Sequence, residues 1–288
     1  MYTAKIQNNS GQLLILTDKE SQYQVIDIQG LNPVTAQVNT TKTAGMDGAK
    51  FNSATLNTRN IVITIKINGD VEKNRLFLYR MFRPKEACIF YYSNDTLDVS
   101  IVGVVETVEC GLFTKDERAQ ISIECFNPYF RAITPTKGYI TNVNNAVEFP
   151  ITFNEPLVFS SYVTNNENSI INNSDSPTGL VFTINFIGSV KTFTITNTDT
   201  GDFFTMTKSG NGYYVKGDQI TIDTNSGQRS VRLTRSGTTT SIFGEMTQGS
   251  TFFELKQGVN HFTYSADNNT TDDNMIIAYS FNRAFGGV

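Results

Sequence analysis

A two-residue periodicity is the feature of this sequence that most restricts its fold. Ile61–Ile67 reads IVITIKI, which places Ile61, Ile63, Ile65 and Ile67 on one side of an extended chain and Val62, Thr64 and Lys66 on the other. The alternation returns at Val99–Val105, Gln120–Cys125, Phe193–Thr196, Gln219–Ile222 and Arg229–Leu233. Turn formers separate such runs, among them Asn68-Gly69, Asp199-Thr200-Gly201-Asp202, Lys216-Gly217-Asp218 and Asn225-Ser226-Gly227. Gly and Asn supply positive φ there, and Asp and Asn side chains bond their own backbone. Short strands joined in this way read as a mainly β protein built from sandwiches or barrels.

One segment departs from this period. Asp70–Arg83 (DVEKNRLFLYRMFR) opens with an N-cap residue, carries Glu72 in its first turn and stops at Pro84. Val71, Leu78, Met81 and Phe82 fall on one helical face, so a single helix packed on a sheet is expected. Its basic residues Lys73, Arg75, Arg80 and Arg83 read as a solvated face, or one facing an acidic partner subunit, rather than a nucleic-acid patch.

The 288 residues suggest two domains at roughly 100–200 residues each. Asn127-Pro128 and Thr134-Pro135 end strands, and beyond Lys137 the chain turns Asn/Thr/Ser-rich. The expected boundary lies between Phe130 and Tyr139, in an exposed linker that offers trypsin Arg131 and Lys137. Domains of 1–133 and 139–288 follow, the last strand being able to pack back on the first domain. Thr35–Asn60 is polar, with scattered apolar residues at Val38, Met46, Phe51 and Leu56. So long a stretch without core periodicity is expected to be an extended arm or a functional loop.

Composition removes much chemistry. With 23 basic and 27 acidic residues the net charge is −4, against a protein devoted to neutralising nucleic-acid phosphates. A single His and no Trp leave His261 as the sole candidate base of a Ser-His-Asp triad and forbid a multi-His metal site. Cys88, Cys110 and Cys125 form no CxxC pair and sit in strand-like apolar contexts, so they read as reduced packing residues of a cytoplasmically folded chain. Asp267–Asp273 lacks the EF-hand spacing and reads as a hairpin tip rather than a calcium loop. The adjacent carboxylates Asp116-Glu117 and Asp272-Asp273 read likewise as tips. No stretch approaches the about 20 apolar residues of a membrane helix, and Met1–Lys19 lacks the layout of a signal peptide. The expectation is no enzyme, no cofactor, no metal, no nucleic acid and no membrane.

The order of several blocks carries a family resemblance. NIVITIKINGD, the helix ending in RMFRP, the strand CIFYY, the pair IVGVVETVE and RAQISIECFNPYF, and a proline-marked linker together resemble the N-terminal domain of the siphophage distal tail proteins. FFELKQGVNHFTYSA and NMIIAYSFNRAFGGV are similar to that family's closing pattern, in which a Leu-x-x-Gly-x-Asn turn precedes the final strands. The likeness spans about residues 1–135 and 250–288, whereas 139–250 matches in character only.

The resemblance implies a structural virion protein of the tail tip or baseplate, made in the host bacterial cytoplasm. Its N-terminal domain would be a β-sandwich or split-barrel-like fold with one helix (about 70–83) and a belt (about 35–60). Its C-terminal domain would be a galectin-like β-sandwich. Such proteins build a ring, usually a hexamer, between the tail tube protein and the tail-associated hub or fibre protein, and can carry receptor-binding proteins. Matching the belt to Thr35–Asn60 makes Val38, Met46, Phe51 and Leu56 the candidate ring interface. The alternative is a carbohydrate-binding adhesin of the tail tip, with Phe203, Tyr213 or Tyr214 stacking on a sugar ring.

Overall fold

The computed structural model describes residues 2–18, 20–111, 117–140, 142–145, 160–163, 167–267 and 274–288. The chain forms two compact units: 1–134 together with 284–288, and 135–283. Residues of Asp267–Asp273 after Asp267, and Asp116, lie outside the described residues, so the hairpin-tip readings of these acidic runs are not addressed.

The first unit holds β1 (Thr3–Asn8), β2 (Leu13–Ile15), β3 (Tyr23–Gln29), β4 (Ala36–Thr41), β5 (Lys50–Leu56) and β6 (Arg59–Ile67). After α1 (Val71–Met81) come β7 (Ala87–Ser93), β8 (Asp98–Cys110), β9 (Arg118–Cys125) and β10 (Phe130–Ala132). One nine-stranded sheet runs β2-β1-β7-β8-β9-β6-β3, with β10 pairing both β8 and β23 (Ala284–Phe285). β6 alternates as its sequence requires, with Ile61, Ile63, Ile65 and Ile67 buried. Ile6, Phe90, Ile101 and Ile121 from other strands of the sheet join them in one core, which Leu78 and Met81 of the helix also enter.

The helix starts where the N-cap signal places it: the Asp70 carboxylate accepts the Lys73 N–H at 3.2 Å. It ends at Met81, two residues short of Arg83. Phe82 leaves helical geometry, and Pro84, which disfavours helix at Arg83, keeps the helix from continuing. Lys73, Arg80 and Arg83 are exposed, whereas Arg75 is half-buried and grips Glu72 at 2.6 Å.

The second unit contains β11 (Thr136–Tyr139), β12 (Asn142–Asn145), β13 (Ser160–Val163), β14 (Glu167–Asn172), β15 (Val181–Phe186) and β16 (Thr192–Asn197). It continues with β17 (Phe203–Thr207), β18 (Gln219–Asp223), β19 (Ser230–Arg235), β20 (Thr238–Ser241), β21 (Gly258–Ala266) and β22 (Met275–Phe281). A six-stranded sheet, β11-β22-β15-β18-β19-β20, faces a four-stranded sheet, β14-β21-β16-β17, and β12-β13 pair apart. Aromatic contacts join the two larger sheets: Phe182 of β15 meets Phe262 of β21 at 5.9 Å, and Phe186 meets Phe193 of β16 at the same distance. The architecture is therefore mainly β in both units, with one helix longer than a single turn among the described residues.

Thr35–Asn60, expected as an extended arm or a functional loop, is a paired ribbon: β4 and β5 form a separate two-stranded sheet. Its strands escaped the periodicity test because every residue of both is exposed, so no buried face imposes alternation. One expectation needs correction: the stretch around Arg131 and Lys137 is no open linker. Arg131 pairs with Ser100 and Ala284, and Lys137 with Ser280, which leaves only the few residues around Ile133 and Thr134 between the units' strands.

Candidate assembly surface

The β4–β5 ribbon is amphipathic although no core lies beneath it. Directly opposed residues of an antiparallel pair share a face. Ala36 faces Leu56 and Val38 faces Ala54, while Gln37 faces Thr55 and Asn39 faces Ser53. A bulge then shifts the register, so that Thr40 faces Phe51 instead of Asn52. The extra residue turns Phe51 onto the side of Val38, Ala54 and Leu56. A regular ladder would send it to the polar side. On that polar side Asn39 donates to Ser53 Oγ at 3.1 Å. The apolar side is bare: Val38 is 54%, Phe51 62% and Leu56 44% exposed. Met46 stands at the tip, 71% exposed, in a turn carried by Gly45 and Gly48 at positive φ. Three of the four residues singled out from the sequence thus share one face, and the fourth lies at its end.

The ribbon's root is tied down. Asn57 N–H donates to Thr35 O at 3.1 Å, closing the base. Beside it lies Arg59, the first residue of β6 and only 1% exposed. Its Nε donates to Pro128 O at 2.7 Å, Nη1 to Asn32 O at 2.8 Å and to Gly30 O, and Nη2 to Gly286 O at 2.6 Å. The guanidinium also lies 4.5 Å over the Phe130 ring. Burial lowers its pKa, and the carbonyl dipoles answer its charge. Sequence reading missed Arg59, because its acceptors are all backbone carbonyls and leave no side-chain pattern.

A row with exposed apolar residues at both ends crosses the same unit's sheet. Leu13 of β2 is opposite Gln7 of β1, Gln7 opposite Ile89 of β7, and Ile89 opposite Val102 of β8. Leu13 is 48% and Val102 63% exposed, so this row of the sheet faces solvent. The thiols offer no chemistry here. Burial pushes Cys88 and Cys125 up to about 12 and raises Cys110, which keeps all three protonated at neutral pH.

In the second unit the polar clusters are structural. Lys208 Nζ, Ser209 Oγ and Tyr214 Oη bond the Glu245 carboxylate at 2.7, 3.0 and 2.9 Å. Burial opposes the charge of Glu245, but these bonds together hold its carboxyl below the usual range. Tyr214 is fully buried, so it is removed from the candidates for sugar stacking, whereas Tyr213 and Phe203 remain exposed. His261 lies on β21 with Nδ1 2.9 Å from Asp199 Oδ1, and its backbone N–H donates to Asp199 Oδ2 at 2.7 Å. These bonds lower the Asp199 pKa. Among the described residues no group of three His, Cys, Asp or Glu side chains converges as a metal site.

Comparison with known proteins bears on these surfaces. Residues 173–282 match the family model described as siphovirus-type tail component, C-terminal domain. No curated protein matches the chain. Among solved structures, the SPP1 Dit (gp 19.1) protein, called a paradigm of the hub adsorption apparatus in Gram-positive infecting phages, superposes with a TM-score of 0.71 at 14% identity, covering 98% of this chain and 99% of that one. The phage P2 baseplate in its activated conformation with Ca gives a TM-score of 0.55 at 11% identity, with 98% of each chain covered. The resemblance read from the sequence is borne out, and the family match includes the stretch 173–250 whose likeness was of character only.

Proposed function

We infer that this chain, which matches a siphovirus-type tail component domain over residues 173–282, is a structural protein of a phage tail tip or baseplate that assembles through the β4–β5 ribbon of its first unit. The carrying observation is the ribbon itself, a projecting two-stranded sheet with one bare apolar face. An isolated two-stranded hairpin is marginal in water, so its apolar side needs a partner. Each of Val38, Phe51 and Leu56 contributes about 1.5–3 kcal/mol when fully buried.

The partner is a second copy. The row Leu13, Gln7, Ile89 and Val102 is a separate surface that offers apolar residues interrupted by Gln7, and a contact between two different surfaces of one chain repeats around an axis. Six copies would close the ring, as the family resemblance implies. Tail tube protein, the tail-associated hub or fibre, and receptor-binding proteins are its proposed partners in the virion.

The test is a ribbon excision. Because Thr35 and Asn57 are hydrogen-bonded, replacing Ala36–Leu56 with a short Gly-Ser bridge disturbs nothing beyond the root. Electron microscopy should show rings from the intact protein and none from the excised one, with circular dichroism of both remaining β-type. Val102→Asp, on the receiving row, should also abolish rings. Closed rings from the excised protein would refute the ribbon as the assembly element.

A further inference from the structure

We propose that Arg59 and the segment Ala284–Val288 form a clamp that sets the direction in which the ribbon leaves the first unit, with Arg59 a positioning residue that acts through the ribbon root. The consequence for assembly rests on the tail-tip reading; the clamp itself does not.

Four of the guanidinium's five N–H donors are used, and their acceptors come from three remote stretches: Gly30 and Asn32 before the ribbon, Pro128 before β10, and Gly286 after β23. A buried guanidinium without a carboxylate is costly unless its donors are satisfied. An apolar side chain would fill the space but could not join these strands. The ribbon's exit is Arg59's own strand, so through this side chain the exit holds the entry.

The returning segment holds the entry from a second side. Val288 N–H donates to Leu31 O at 3.1 Å. Gly287 runs so close to the root that a Cβ there would lie 2.8 Å from Pro33 Cδ and 3.2 Å from Leu31 O. At Gly30, where φ is +86°, a Cβ would meet the Asn60 carbonyl oxygen directly, which brings entry and exit backbones together. Two strands of six and seven residues make the ribbon a lever of about 20 Å. A swing of about 10° at the root would displace its tip by about 3 Å at that length. Ring closure needs the same angle at each interface, since a heterologous contact at the wrong angle gives open chains.

Hydrogen exchange and electron microscopy on the full chain test this with Arg59→Met, Gly287→Ala and the core control Ile121→Val. Root amides (Asn57, Val288) should exchange at least about tenfold faster, relative to the β6–β9 ladder, in Arg59→Met, and in the same direction in Gly287→Ala. Ile121→Val should speed root and ladder in proportion. Both root variants should give fewer closed rings and more open oligomers or monomers, while the control still closes rings. An unchanged ratio of root to ladder exchange in the two root variants overturns the clamp, and a loosened root with undiminished ring closure overturns its positioning role. Should Arg59→Met fail to fold, Gly287→Ala decides. If the intact protein itself forms no rings, the tail-tip reading fails, and the exchange ratio still decides the clamp.

Discussion

At the residue scale, this chain uses its charges to brace β edges. Asp218, with a side chain only 2% exposed, accepts Arg235 Nε at 2.7 Å, Nη2 at 2.5 Å and the Val215 N–H at 2.9 Å. Burial opposes the Asp218 charge, yet these bonds hold its carboxyl below the usual range. A carboxyl lowered on folding stabilises the protein above its unfolded pKa, near 4, and loses that contribution as pH falls through the folded value. Asp218→Asn should therefore cost about 2 kcal/mol in urea unfolding at pH 7, the scale of hydrogen bonds to a charged group. The gap between variant and parent should narrow as the pH is lowered from about 4 towards 3. A gap that persists undiminished at pH 3 would rule out the ionised carboxylate as its cause. The motif Leu255-x-x-Gly258-x-Asn260 shows what a sequence can display at this scale. Gly258 takes φ +93°, and Asn260, 1% exposed, accepts the Lys256 N–H at 2.9 Å and donates to Lys256 O at 2.8 Å. Such a local turn leaves its mark in adjacent letters. Arg59, whose partners lie as far off as Gly286, leaves none.

At the element scale, both the ribbon and the strands flanking Thr134 turn out to be hydrogen-bonded ladders, and only the ribbon ends in a free tip. Trypsin needs a locally extended and accessible backbone, which exposed loop tips provide. Lys42 and Lys50 flank the ribbon's tip and are exposed, whereas Arg131 is half-buried and ladder-paired in β10 and Lys137 is held in β11. The unassembled protein should be cut first at Lys42 or Lys50, as read by fragment masses, and assembly should suppress those cuts. First cleavage at Arg131 or Lys137 would contradict this placement. Prolines marked the strand ends at Pro128 and Pro135 correctly as breaks in the ladder, but a break of two or three residues is no linker. Only the partners β8, β22 and β23, distant in sequence, reveal how much of the stretch is paired.

At the scale of the whole molecule, the second unit is an insertion. The chain leaves the first unit after Thr134 and re-enters it at Ala284, and β10 and β23 are hydrogen-bonded neighbours, with Arg131 opposite Ala284. Each unit has its own apolar core, around Ile63 and Phe90 in one and around Phe182 and Phe262 in the other. Replacing 135–283 by a short Gly-Ser linker should leave a first unit that melts cooperatively, and residues 135–283 expressed alone should melt cooperatively too. A molten spectrum from either piece would show that the cores depend on one another.

The sequence by itself determined the β class, the helix over Val71–Met81 with its Asp70 cap, the turns and the core strands, because each rests on a period or a cap within a few residues. It also singled out Val38, Met46, Phe51 and Leu56, since apolar residues in a polar stretch are visible one at a time. Tertiary structure alone decided that these stand on a paired ribbon, that one bulge gathers Phe51 with Val38 and Leu56, and that Ala284–Val288 completes the first unit. Those facts depend on register and on contacts between residues from about ten to more than two hundred positions apart. Backbone hydrogen bonds, which every residue type can make, carry most of those contacts and so write almost nothing into the order of side chains.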